Sequence, residues 1–411
     1  MKNLILGSLL IFFVSNVKGQ NYLGINTSNY AGVMGNDINP ASFVDGRFSF
    51  DLNLFSTNFN LYQNFGYFDA KYMRDAQRNR FGESYWWINS FKDTIFDGWG
   101  AQPFEQFNLE PFSEGIIKHL YDTLTKSPRG IYMNYQLDLL NFAFHITPKF
   151  SVGFNAKLRS MTNIDNIDPK LAVLAESGLD TNDLWGRTLP EELLNLNHMT
   201  WTEYGLNLGH VLQDRNEHFL KVGADLKYMQ GYTAAYVYTD NFKYGLVDED
   251  TSFFLQGDFA YGYSNNFDKL AAGNIETNGF GLPRPSSKSG YGVDLGFVYE
   301  WRPKYKKYKF DMDGKSNLWM KNKNKYDLRV GASLLDLGAL RFTKGGLSRD
   351  FSVDVNRKFD LNQFQSATGL VEFDKIIDSL ITQSLDPTEW VAGAKDTTST
   401  FWVQTPSALS I

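Results

Sequence analysis

The stretch "GYGVDLGFVYEW" (Gly290–Trp301) decides the fold class. Tyr291, Val293, Leu295, Phe297, Tyr299 and Trp301 share one parity, while Gly292, Asp294, Gly296 and Glu300 share the other. A period of two sustained over such a length is a β-strand with one apolar face and one face of small or charged residues. The design recurs along the chain. In "KFSVGFNAKLRSM" (149–161), Phe150, Val152, Phe154, Ala156 and Leu158 oppose Ser151, Gly153, Asn155, Lys157 and Arg159. "EYGLNLGHVL" (203–212) sets Tyr204, Leu206 and Leu208 against Gly205, Asn207 and Gly209. "FLKVGADLKYM" (219–229) sets Leu220, Val222, Ala224, Leu226 and Tyr228 against Lys221, Gly223, Asp225 and Lys227. "YDLRVGAS" (326–333) sets Leu328 and Val330 against Asp327 and Arg329. The same alternation occupies "GIYMNYQLDLLNFAFHI" (130–146) and "RFSFDLNLF" (47–55), where Phe48, Phe50, Leu52 and Leu54 oppose Ser49, Asp51 and Asn53.

Alternating runs of this kind match a tilted membrane strand of about 9–11 residues and exceed the usual soluble strand of about 5–6. Apolar faces that begin and end in Tyr or Trp suit the two interfaces of a bilayer, and glycine with charge suits a wet interior. The expected fold class is all-β: an antiparallel transmembrane β-barrel. A soluble sandwich would alternate too, because one face must pack inward. The barrel is favoured by short turns that alternate with long connections: 66–129, 162–197 and 343–400. In the barrel Lys157, Arg159, Asp225, Lys227, Asp294 and Arg329 face the lumen, pairing across it.

The N-terminus fixes the expected compartment. Lys2, an apolar run from Leu4 to Val14, and Val17-x-Gly19 make residues 1–19 a secretory signal peptide. The run is too short to cross about 30 Å of hydrocarbon. The chain has no Cys, a net charge of −6 and 16% aromatic residues, which favours an envelope protein and disfavours nucleic acid as a partner.

The long connections carry helical stripes. "SEGIIKHLYDTL" (113–124) starts at a Ser113 cap, and "DPKLAVLAESG" (168–178) runs from an Asp168 cap to Gly178. "VEFDKIIDSLI" (371–381) groups Phe373, Ile376, Ile377 and Leu380. These stripes pack loops together at the barrel mouth, or Phe373, Ile376, Ile377 and Leu380 line an apolar vestibule for a hydrophobic ligand. "FDMDGKSNLW" (310–319) predicts a hairpin turning at Asp313-Gly314. Strand directions do not close: 251–263 leaves 290–301 out of step. Either a strand hides within 231–246, or the segment 265–290 re-enters the barrel.

Ahead of the first strand lies "AGVMGNDINPASFVDG" (31–46), rich in Gly, Asn, Asp and Pro. A Gly-rich segment ending in Asn39-Pro40-Ala41, placed between signal cleavage and a membrane strand, resembles the FadL-like outer-membrane transporter superfamily. "GYGVDLGFVYE" and "RVGASLLDLG" are similar to its Bacteroidota branch, which includes PorV-type secretion shuttles. The resemblance implies that residues 20–45 form a luminal plug and 46–411 the barrel, in the cell outer membrane. Gly32, Gly35, Asn36, Asp37, Asn39, Pro40 and Ala41 are then the plug residues. Irregular backbone cannot face lipid but is tolerated inside a barrel. The plain alternative makes Asn39-Pro40 a turn before a strand. The end, "FWVQTPSALSI", starts a strand without a terminal aromatic residue, so the barrel is expected to be incomplete at its C-terminus.

No catalytic constellation emerges. His119, His145, His198, His210 and His218 are scattered without an HExxH, and no GxSxG elbow is present. "GFGLPR" is no phosphate loop, and Asp311-x-Asp313-Gly314 lacks the further ligands of a calcium loop. Neither enzyme activity nor a cofactor or metal is expected. The superfamily implies passive uptake of hydrophobic small molecules. The alternative is a protein-binding barrel acting in secretion or surface assembly. Outer-membrane lipid is a partner in both.

Overall fold

A computed structural model describes residues 26, 30–64, 129–167, 185–248, 251–266, 285, 287–320, 323–365, 370–384, 386–393 and 399–411. The expected signal peptide, the helices at 113–124 and 168–178, and His119 lie outside the described residues. The described chain is mostly antiparallel β-sheet, with one α-helix, α1 (Leu370–Gln383), longer than a single turn.

Sixteen strands resolve into fewer, longer lines once their registers are followed. The first line is β1 (Phe50–Asn53) continued by β2 (Ser56–Gln63), both against β3 (Arg129–Thr147). Then come β4 (Phe150–Ile167), β5 (Thr188–Arg215) and β6 (His218–Leu246), each antiparallel to the last. β6 has 29 residues and carries two partners end to end. β7 (Thr251–Tyr263) pairs with its second half and β8 (Ser287–Trp301) with its first, both antiparallel to it.

This resolves the direction problem and corrects the first expected remedy; the second falls on 265–290, of which 267–284 and 286 lie outside the described residues. Residues 231–246 are not a separate strand but the continuation of β6. β7 and β8 are two pieces of one line. The next line repeats the device: β11 (Leu328–Thr343) runs beside β8, and β12 (Arg349–Val355) and β13 (Phe359–Asp360) run beside β7. β14 (Trp390–Ala392) on β12, and β15 (Thr400–Gln404) and β16 (Ala408–Ser410) on β11, make the last line. Among the described residues no pairing joins that line to β1 and β2. A short 3-10 helix (Tyr305–Tyr308) and the β9 (Lys309–Met312)–β10 (Lys315–Trp319) hairpin fill the connection from β8 to β11. The hairpin turns at Asp313 (φ 52°) and Gly314 (φ 73°), the positive-φ pair expected for a two-residue turn.

Two expected long connections shrink accordingly. Residues 162–167 and 188–197 belong to β4 and β5, and 344–399 holds β12, β13, α1 and β14. β5 and β6, at 28 and 29 residues, are far longer than the runs of alternation seen in sequence. The cause is a bulge: Thr200 faces Thr233 but Trp201 faces Gly231. Inward residues are odd-numbered below it (Phe219 to Gly231) and even-numbered above it (Tyr232, Ala234).

The far end of the sheet has an apolar core. Ile377 of α1 is buried with Tyr261, Phe351, Val353, Phe359 and Trp390, and Phe373 and Leu380 pack on it; Ile376 is half-buried. Arg349 fixes the helix by reaching Asp374 and Asp378, each at 2.7 Å. Burial pushes the Tyr261 phenol above its usual range, and Tyr261 donates to Asp374 at 3.1 Å. The vestibule residues therefore meet the sheet. Ile377→Ala is expected to cost about 2–5 kcal/mol locally. Hydrogen exchange should quicken along α1 and leave the β5–β6 ladder unchanged.

Candidate functional site

The two faces of the sheet below the β5–β6 bulge carry opposite chemistry in an unusual arrangement. Leu206, Leu226, Leu295, Leu328 and Leu334 are exposed, whereas Asn207, Asp225, Lys227 and Asp294 on the other face are each under 7% exposed. The exposed face is bounded by rings. Tyr204, Tyr228 and Tyr291 stand side by side across β5, β6 and β8, with centroids 6.4 and 5.9 Å apart. Ten residues further along β8, Trp301 and the Tyr299–His218 stack mark the other limit. Ten residues at about 3.3 Å each and about 40° of tilt span about 25 Å.

A row of small residues crosses the buried face in register: Ser151, Gly209, Gly223, Gly296 and Ser333. Residues 31–46 lie on it. A 3-10 helix (Gly32–Asp37) opens the segment, with Gly32 at φ 55° tucked against the Asp51 carboxylate, which accepts from Val33 N at 2.6 Å. Asn36 donates to Asn207, and Asp37 binds Lys157 and accepts from Gln136 at 3.0 Å. Asn39 is the anchor of the motif. Its Nδ2 donates to Phe297 O (3.0 Å) and Ala332 O (3.3 Å), while its Oδ1 accepts from Ala41 N (2.9 Å). Ser333 donates to Ile38 O at 2.5 Å, and Lys221 to Val44 O at 2.6 Å. Ala41, Phe43 and Val44 are buried.

The glycines are what let the segment lie so close. A methyl on Gly223 would overlap the Pro40 carbonyl; one on Gly296, Asn39 Oδ1; one on Gly209, the Val44 side chain. Gly35 plays the same part within the segment, beside Ser42. Gly223→Val is expected to lift residues 38–44 off the sheet, because the obstacle is backbone, at an overpacking cost of about 1–3 kcal/mol. Trypsin should then cut after Arg47 much faster than in the parent chain. Ala224→Val, on the other face, should change nothing. Equal resistance in both variants would refute the packing account.

Further along this face lies a buried ion network. Arg159 holds Asp336 through two contacts at 2.8 and 2.9 Å and reaches Glu203 at 3.4 Å. Lys227 meets Asp336 and Asp294, each at 2.7 Å. Asp225 accepts from Asn155 (2.8 Å) and Asn207 (3.0 Å). Of the six charged residues expected on one face, Lys157, Arg159, Asp225, Lys227 and Asp294 come together here. Arg329 lies apart, 3.8 Å from Glu300. Sequence reasoning missed two members. Glu203 has the parity of Asn207, a signal that was available. Asp336 sits at positive φ (54°) in a bulge between Leu334 and Leu337, which turns its carboxylate inward. Its backbone N–H donates to Asp294 at 2.6 Å, and its carbonyl accepts from Thr405 (2.6 Å).

Two concavities flank the site. One, of about 450 Å³, has a mixed lining and opens between residues 30–51, the end of β8 and the start of β11, with Lys221, Glu300 and Arg302 in its wall beside Phe43 and Val298. The other is an apolar trough of about 700 Å³ on the exposed face, floored by Ala224 and Ala332 and walled by Phe150, Leu208, Leu295 and Phe297. The described histidines serve separate places: His145 meets Ser151, His198 meets Thr162, His218 meets Tyr299, and His210 lies beside Phe150. No described helix is long and apolar enough to cross a membrane, which leaves strands unaddressed.

Fold and site together define a long-stranded antiparallel β protein whose polar face is covered by its own N-terminal segment. The chain belongs to the family of unknown function DUF5723, whose model matches residues 40–401. No curated protein and no solved structure matches it.

Proposed function

We propose that this chain is an outer-membrane β-barrel protein, with its exposed apolar face in lipid and residues 31–46 in the lumen as a plug. The inverted burial carries the reading: leucines outward, carboxylates and lysines inward, between two aromatic rows about one bilayer apart. Within that setting, a protein-binding platform fits the geometry better than an open conduit. The inner face is occupied by the N-terminal segment and the ion network. β5 and β6 continue well beyond the Tyr row, and β7, β12, β14 and α1 thicken that projecting part. Such a surface suits an exported protein in secretion or surface assembly.

A photo-crosslinker at Tyr238 or Val391, both exposed on the projecting part, tests this in cells. A discrete adduct with one exported protein is expected; no adduct from either position would sink the platform reading. Passive uptake of hydrophobic molecules is the second reading, favoured by the apolar trough, which offers a lateral path for an acyl chain. A labelled fatty acid that binds the purified protein, and loses binding with Ala224→Trp in the trough floor, would decide for uptake.

A further inference from the structure

The connection from β8 to β11 stands apart from the rest of the chain in charge. Between Arg302 and Lys325 the sequence has nine Lys or Arg against two Asp, in a protein whose net charge is −6. The segment leaves β8 directly after Trp301 and returns at Leu328, and these two residues pair with each other at the lower limit of the apolar face. Its 3-10 helix and hairpin are therefore attached to the band's edge. Lys304, Lys306, Lys307 and Lys315 are exposed, as is Met312. Lys306, Lys307 and Lys315 project from the first turn and the hairpin, whereas the inner side of the hairpin is occupied. Trp319 donates to Asp214 at 3.2 Å, Lys309 to Asn216 at 3.0 Å, and Lys325 lies 3.6 Å from Asp45. The inner contacts tie the hairpin to the β5–β6 turn, Lys304 pairs with Asp327 at 2.7 Å, and Lys306, Lys307 and Lys315 face solvent.

We infer that this hairpin docks on anionic phospholipid headgroups of the leaflet at the short-turn end. Two observations select that occupant. The charge is concentrated where the chain leaves the apolar band, at headgroup depth, and two half-buried aromatic side chains, Tyr305 and Tyr308, flank the exposed Lys306 and Lys307 in the first turn. Exposed lysines beside an anionic surface each strengthen association and lose effect with salt. The inference rests on the membrane reading above, and the test separates the two.

The chain has no Cys, so single labels are unambiguous. A fluorophore is placed at Ser316→Cys on the hairpin, or at Leu295→Cys within the band, in full-length protein reconstituted into vesicles. The vesicles are phosphatidylcholine alone or phosphatidylcholine with phosphatidylglycerol, carrying a headgroup quencher or an acyl-chain quencher. The band label should be quenched by the acyl-chain lipid in both mixtures. The hairpin label should be quenched by the headgroup lipid only with phosphatidylglycerol, and less in high salt. Lys306→Gln, Lys307→Gln and Lys315→Gln together should weaken association of the hairpin with the phosphatidylglycerol surface by about fivefold for each lysine lost. An unquenched band label overturns the membrane reading. A quenched band label with a hairpin signal indifferent to phosphatidylglycerol, or unchanged in the triple variant, overturns this inference alone and leaves a soluble polyanion or protein as the occupant.

Discussion

Asp336→Asn is expected to destabilise the folded protein by about 3 kcal/mol, near the lower end of what breaking a buried ion pair costs. Asn tolerates the left-handed backbone that Asp336 adopts and nearly conserves its shape, so the change isolates charge. The carboxylate serves Arg159 and Lys227 at once, and both cations are under 8% exposed. Glu203 and Asp294 remain beside them, which keeps the loss from reaching the upper end. The measurement is a urea titration of protein folded in vesicles. Asp336→Asn combined with Arg159→Met should recover part of the loss, since it removes the cation left without its partner. Strict additivity of the two changes would mean that the network is not coupled, contrary to the contacts described.

Leu295→Arg is expected to cost about 2–4 kcal/mol in vesicles, whereas Tyr291→Arg, in the boundary row itself, should cost about 0–1 kcal/mol. Both side chains are exposed, Tyr291 at 71% and Leu295 at 46%. On a water-soluble sheet two exposed positions would each stay within about 0.5 kcal/mol. Under the proposed membrane reading, depth separates them, because Leu295 lies midway between the tyrosine row and Trp301. Equal small costs at both positions would remove the bilayer from the account of this face.

Much of the architecture was legible in sequence where strands keep a clean period. β4, β8, the second half of β5 and the first half of β6 were visible because one face meets a polar environment and the other does not. The Asp313-Gly314 hairpin was visible because few residues accept its turn geometry. The first half of β5 and the second half of β6 were not: the extra residue Tyr232 shifts the period of β6, and in β5 the buried Met199 and Trp201 are apolar, which erases the contrast between the faces. α1 was visible as a stripe, but the stripe does not say what it covers.

The amino-acid order by itself determined which residues share a face, since strand geometry fixes alternation locally. It thereby set Lys157, Arg159, Asp225, Lys227 and Asp294 on one side and the leucines on the other. Only the tertiary structure decided that β7 and β8 are halves of one line, and that Gly223 and Gly296 align into a seat for Asn39-Pro40-Ala41, with Gly209 beside them under Val44. It alone decided that Asp336 closes the ion network. Those facts depend on register between strands far apart in the chain and on one residue displaced by a bulge, and neither leaves a local periodic trace.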